Sequence, residues 1–216
     1  MNKNVFKQGN TVEFAGQKWN VLDEVGENNF LCVNSDIICY KAFDNNNNNN
    51  WRVSSLREYL NGEYLEKFKN VNLVVWSQDL TTDDGLKDYG SSTDAIFLLT
   101  ADQYRQYRQY MSKLLDETWW LITANSTTDY SVRRVNTIGA LDNALAFNGC
   151  YGVRPACVIH FESKEEAEQE YKELTAAVKE SGIAFKLQKE LQKLIDKEYA
   201  KNEKLYQCNG EGEKNG

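Results

Sequence analysis
Up to Phe161 this chain is a succession of short β-prone runs broken by turn residues, and beyond Phe161 it becomes rich in Lys and Glu. That break constrains the fold more than any other feature, because short strands must join into sheets while the later stretch carries only helical periodicity. Thr11 to Phe14, the turn at Ala15 and Gly16, Lys18 to Asp23, and Phe30 to Val33 after Gly26 to Asn29 read as hairpins. A second such texture runs from Trp119 to Phe161. Between them, Asp44 is followed by asparagine from Asn45 to Asn50, a segment that has no apolar side chain to bury and is expected to form an exposed loop. Ser55-Leu56-Arg57-Glu58 reads as a capping box for a helix bearing Leu56, Tyr59, Leu60, Tyr64 and Phe68, interrupted at Asn61-Gly62. A polar loop from Thr81 to Asp94 precedes a buried strand, Ala95 to Leu99. Thr100 and Gln103 then cap a second helix, with Tyr104, Tyr107, Met111, Leu114 and Leu115 on one face.

These readings give an α+β domain over residues 1–161, with short antiparallel strands and two helices, followed by a helical appendage over 162–206 and a disordered tail over 207–216. In the appendage Leu187, Leu191, Leu194, Ile195 and Tyr199 form a narrow apolar stripe. A homo-oligomer or a docking partner is expected through the helix at 184–206.

Composition excludes several functions. A formal charge of −7 over 216 residues is the wrong sign for a protein that neutralises phosphates, so no nucleic acid is expected. Met1 to Asn10 lacks the apolar segment of a signal peptide and no run is long enough to span a bilayer, which predicts a soluble protein. The five cysteines, Cys32, Cys39, Cys150, Cys157 and Cys208, match neither an even disulfide set nor paired zinc spacing, and His160 is the one histidine. Without a glycine-rich phosphate loop or a Ser/His/Asp set, no catalytic residue, metal ligand or cofactor is predicted.

The binding candidates lie between Trp120 and Gly152. Lys, Glu, Gln, Met and Trp are common elsewhere but none occurs from Leu121 to Val158; these are the residue types that codons ending in a pyrimidine cannot encode. The same gap also follows from the composition of strands and turns. Asn125, Ser126, Thr127, Thr128, Asp129, Tyr130, Arg133, Arg134, Asn136, Asp142, Asn143, Asn148 and Tyr151 combine adaptable hydrogen-bonding groups with rigid aromatic and guanidinium surfaces, as paratopes do. In Val132 to Val135 and Ala144 to Phe147, alternation predicts apolar residues facing the core.

An ordered set of motifs adds a resemblance. Phe14, Gly16, Trp19 and Val21; Trp51-x-x-Ser54-x-Leu56-Arg57-x-x-Leu60-Asn61-Gly62; Asp94-x-x-Phe97-Leu98-Leu99; Trp119-Trp120-Leu121; and Gly152-Val153-Arg154-Pro155-Ala156 occur in the order found in a bacterial and phage domain of unknown function. That family is similar to the C-type-lectin-like variable proteins of diversity-generating retroelements and, more distantly, to formylglycine-generating enzymes. The resemblance covers residues 9 to 160 and departs at Ile122-Thr123-Ala124-Asn125, where relatives turn after the tryptophans. It implies a C-type-lectin-like scaffold displaying loops 122–151, with Trp51, Arg57, Trp119, Trp120, Arg154 and Pro155 as scaffold residues. The implied function is non-enzymatic binding of a protein or glycan ligand on a target surface, in a phage virion or the bacterial cytoplasm. One alternative is a phage decoration protein docked through its tail; another is formylglycine-type chemistry at Cys150 and Cys157.

Overall fold
Ala15 and Gly16 take positive φ values of 50° and 69°, the left-handed pair that a two-residue hairpin turn requires. They connect β1 (Thr11–Phe14) to β2 (Gln17–Gly26), and Asn28, at φ 59°, turns β2 into β3 (Asn29–Asn34). The structure, a computed structural model, describes residues 6–111 and 116–161, together with 172–173, 176, 189–190 and 192–197. By its contacts the chain divides into Asn4–His160 and a second unit of Phe161–Gly216 with Met1–Lys3.

The remaining strands of the first unit are β4 (Cys39–Tyr40), β5 (Leu73–Val74), β6 (Trp76–Asp79), β7 (Ser91–Asp94), β8 (Ile96–Phe97), β9 (Trp119–Ala124), β10 (Ser131–Val135), β11 (Leu141–Leu145), β12 (Gly152–Val153) and β13 (Ala156–His160). A six-stranded sheet has the order β1-β2-β3-β13-β5, with β8 also on β13. A five-stranded sheet has the order β11-β10-β9-β12-β4, and β6 and β7 form a two-stranded sheet. Most neighbours are antiparallel; β12 and β9 run parallel, so the sheet is mixed. Arg154 and Pro155, both buried, form the step by which the chain passes from β12 in one sheet to β13 in the other.

Trp19, Val21, Leu22, Leu31, Val33, Ile96, Phe97 and Val158 fill the core around the larger sheet, and all six residues of β9 are buried. Two short α-helices complete the unit. The first, α1 (Ser55–Asn61), is capped by the Ser54 hydroxyl, which accepts from the Arg57 amide. The cap is therefore one residue earlier than the expected Ser55. The interruption falls at Gly62, and a 3₁₀ turn at Leu65–Phe68 continues the apolar face. The second, α2 (Ala101–Tyr107), has the full reciprocal capping box of Thr100 and Gln103. It tightens into a 3₁₀ turn after Tyr107, shorter than its periodicity suggested; Leu114 and Leu115 lie outside the described residues.

Other expectations are corrected. The loop after Thr81 ends at Gly90, because Ser91–Asp94 pair with β6. At Ile122 to Asn125, where the sequence departs from its relatives, β9 continues through Ala124 and the chain turns at Asn125. Among the described residues, no helix is long and apolar enough to cross a membrane. In the C-terminal unit the described residues after Phe161 are helical, with Leu194 exposed and Ile195 half-buried. Leu187, Leu191, Tyr199 and the tail at 207–216 fall outside them.

Candidate binding face
The asparagine tract is a loop with Asn45, Asn46 and Asn48 exposed, but its Asn49 is buried. Asp44, 2% exposed, accepts the amides of Asn46 (2.9 Å) and Asn48 (3.0 Å) on Oδ2 and that of Ser55 (3.1 Å) on Oδ1, which winds the tract into a tight turn with Asn47 at φ 59°. Asparagine tolerates this left-handed conformation better than other residues with a Cβ. The turn directs Asn49 inward to 0% exposure. Its Nδ2 donates to the carbonyls of Asn125 (3.1 Å), Thr128 (2.6 Å) and Ser131 (2.9 Å), and its Oδ1 accepts from the Tyr89 hydroxyl (2.6 Å). Two amide hydrogens serve three acceptors, so one hydrogen is shared. The Asn49 main-chain N–H adds a bond to Asp129 O (2.8 Å), and Asn47 Oδ1 accepts from Phe147 N (3.2 Å). The loop from Asn125 to Ser131 is thus held from inside by residues about eighty positions earlier.

The Thr81–Gly90 loop supports the same region. Asp83 pairs with Arg133 (3.0 Å) and, more distantly, with Arg105 (3.6 Å). Hydroxyls of Ser126 and Thr82 donate to Asp84 and hold its carboxyl below the usual carboxylate range. Burial, together with the charges of Asp129 and Asp88, pushes the Tyr89 hydroxyl up.

On the β10–β11 hairpin the candidate residues do not share one face. Directly opposed residues project to the same side and consecutive ones to opposite sides. Arg134 lies opposite Asp142, and Arg133 opposite Asn143. Arg134 pairs with Asp142 (2.8 Å) and stacks over the Tyr151 ring at 4.4 Å; Tyr151 packs edge-on against Trp120 at 4.9 Å. The Asn143 amide and the Arg134 guanidinium lower the Asp142 pKa. Arg133 turns the other way, toward Asp83. Three further candidates form their own turns: Asn125 Oδ1 accepts from Thr127 N, Asn136 Oδ1 from Ile138 N and Ala140 N, and Asn148 Oδ1 from Cys150 N. Thr128 Oγ1 is buried.

The exposed part of the face is partly apolar. Ala146 is the core residue of its segment, while Leu145 and Phe147, expected inside, are 42% and 54% exposed. The Ala146 amide bonds to Tyr130 O (2.8 Å), so Tyr130, itself 42% exposed, lies opposite Ala146 in the register. Asp129, Thr127 and Asn143 are the exposed polar neighbours. Sequence reasoning missed Leu145 and Phe147 because a short alternating run does not say which parity is inside.

Behind this face stands a buried frame. Arg154, 1% exposed, donates from Nε to Asn34 O (2.8 Å) and from Nη2 to Ser35 O (3.4 Å), and its guanidinium lies 5.1 Å over Trp119. Burial lowers its pKa to about 10. Trp120 donates Nε1 to Lys41 O (2.9 Å) and meets Phe43, which meets Trp51. Trp51 Nε1 donates to Asp94 (2.9 Å), whose other oxygen accepts Arg57 Nε (2.7 Å). His160 Nδ1 is paired with Asn29 Oδ1 (2.8 Å). Cys157 is fully buried opposite Cys32, with burial raising both thiols' pKa, whereas Cys150 is exposed. Among the described residues no group of three or more His, Cys, Asp or Glu side chains is placed to hold a metal.

A sheet-rich mixed fold with few, short helices, carrying an internally clamped loop face, is the class these observations define. The chain belongs to the DUF6273 family, a domain of unknown function, whose model matches residues 27–161. The match begins after β1 and all of β2, later than the resemblance from residue 9 implied. No curated protein and no solved structure matches the chain.

Proposed function
We propose that the domain is a non-enzymatic recognition module that binds a protein or glycan target through the surface around Asp129, Tyr130, Leu145 and Phe147. The observation that carries this reading is the exposure of three large apolar side chains on a loop system clamped from its buried side by Asn49. Exposed apolar side chains beside polar ones favour association, and a surface already held in one conformation loses less entropy on binding. Arg134, stacked and ion-paired, and Arg133, half-buried, are support in this reading, as are Asn125, Asn136 and Asn148. A C-type-lectin-like scaffold with a diversified loop, carried on a phage particle, remains part of the proposal; its support is the absence of Lys, Glu, Gln, Met and Trp from Leu121 to Val158. The buried thiol of Cys157 favours binding over formylglycine-type chemistry. The exposed Leu194 favours the C-terminal helix as an attachment element, which accommodates a decoration role as well.

The test is a screen of a glycan array and a displayed peptide library with the wild type and with a Tyr130→Ser/Phe147→Ser double variant. Probes bound by the wild type and lost by the variant, with thermal melts unchanged, are expected. Probes retained equally by both, or no bound probe at all, would contradict the assignment.

A further inference from the structure
We infer that the open edge of β11 pairs with the same strand of a second copy of this chain, antiparallel and centred on Asn143. Among the described residues, β11 is the outermost strand of the five-stranded sheet and has β10 as its one neighbour. Register and bonding settle which of its groups face outward. Tyr130 O accepts from Ala146 N and Ala140 O from Asn136 N, so the even-numbered residues bond to β10 and Leu141, Asn143 and Leu145 direct their N–H and C=O groups away from it.

Exposed edges are ordinarily blunted by shortness, by Lys or by Pro. At the far end of the same sheet β4 has two residues, whereas β11 has five and contains neither Lys nor Pro. Its protection is partial. The Asn143 amide is capped by its neighbour's carboxylate, Asp142 Oδ1 (2.7 Å), and Leu145 O accepts from Asn148 N (3.0 Å).

The sequence of the edge selects the occupant. Leu141-Asp142-Asn143-Ala144-Leu145 placed antiparallel to itself about Asn143 sets Leu141 opposite the other copy's Leu145, Asn143 opposite itself and Asp142 opposite Ala144. All five residues overlap in this register, and the outward N–H of Leu145 meets the outward C=O of Leu141 on both sides of the axis. Slipping the centre to Asp142 would place two carboxylates face to face, which is unfavourable. Asp142 keeps its Arg134 contact through Oδ2 while Oδ1 releases the Asn143 amide to the new strand. A symmetric interface of this kind is self-complementary and closed. It would present two copies of the Tyr130 loop on one assembly.

The experiment uses the full chain in a Cys150→Ser background, which removes the exposed thiol of the loop. Asn143→Cys treated with diamide is expected to yield a disulfide-linked dimer on a non-reducing gel, faster than Thr137→Cys at the hairpin tip, because only the former faces its counterpart. In parallel, light scattering of the wild type is expected to report twice the chain mass across a dilution series, and Leu145→Lys, with an unchanged melt, is expected to report the monomer. A monomeric wild type overturns the inference, as does equal cross-linking from the two positions. A dimer that survives Leu145→Lys is formed elsewhere, and also overturns it.

Discussion
The side-chain amide of Asn49 lies 2.6 Å from the main-chain carbonyl of Thr128, seventy-nine positions later in the chain. A fully buried polar side chain bonded at both ends organises the exposed loop it touches. In low-dielectric surroundings such bonds are stronger than in water, and leaving their partners unpaired is correspondingly expensive.

Asn49→Ala removes the donor for three carbonyls and the acceptor for the Tyr89 hydroxyl, and is expected to destabilise the domain by about 2 to 4 kcal/mol. Asn46→Ala, three positions earlier and exposed, should leave the urea midpoint close to that of the wild type. Equal midpoints for the two variants would show that the buried asparagine is not the anchor.

Asp94 is the buried end of the aromatic frame, bonded to Trp51, Arg57 and Ser92. Asp94→Ala strands the indole and the guanidinium together, with an expected loss of about 3 kcal/mol. Trp51→Phe should lose less, about 2 kcal/mol, because the ring contact with Phe43 is retained and Ser92 still donates to the same carboxylate oxygen. Chemical denaturation of the two variants ranks them directly; a larger loss in Trp51→Phe would refute the ordering.

Arg154→Ala and Arg154→Lys should both cost about 2 to 4 kcal/mol, since the ammonium of Lys cannot reproduce the guanidinium fork onto Asn34 and Ser35. Rescue of the thermal melt by Lys would reduce the role of Arg154 to its charge.

At alkaline pH two sets of groups act in opposite directions. Burial and the Asp23 carboxylate raise the Tyr107 pKa from 10.0 to about 12, and burial raises that of Tyr59 to about 12. A pKa raised above its unfolded value contributes stability that is complete below pH 10 and is lost as pH climbs toward 12. Arg154, lowered from 12.5 to about 10, opposes this by relieving its burial penalty over the same range. The two tyrosines outnumber it, so stability should fall from pH 10 to 12, and fall less steeply in Tyr107→Phe. An identical slope in that variant would contradict the assignment.

Much of this fold was legible locally. The Ala15-Gly16 turn, the Thr100/Gln103 capping box and the break at Gly62 each depend on a few adjacent residues, and each has the predicted form. What could not be read depends on distant partners. Asn45 to Asn50 carries no hydropathy signal, and the burial of Asn49 follows from carbonyls supplied after residue 124. Leu145 and Phe147 face outward because the Ala146 amide is committed to Tyr130, a pairing that fixes parity from outside the segment. Arg133 and Arg134 looked like neighbours on one surface; as consecutive strand residues they project to opposite sides.

The claim on which the functional account stands is that Asn49 holds the Asn125 to Ser131 loop in one conformation. Amide hydrogen exchange tests it most directly, at Asn125, bonded to Ser131 O, and Ala146, bonded to Tyr130 O, with β13 as the internal reference. Both amides are expected to be protected in the wild type and to lose protection in Asn49→Ala while Val158 and Ile159 keep theirs. Unprotected amides in the wild type, or protection unchanged by Asn49→Ala, would contradict the account.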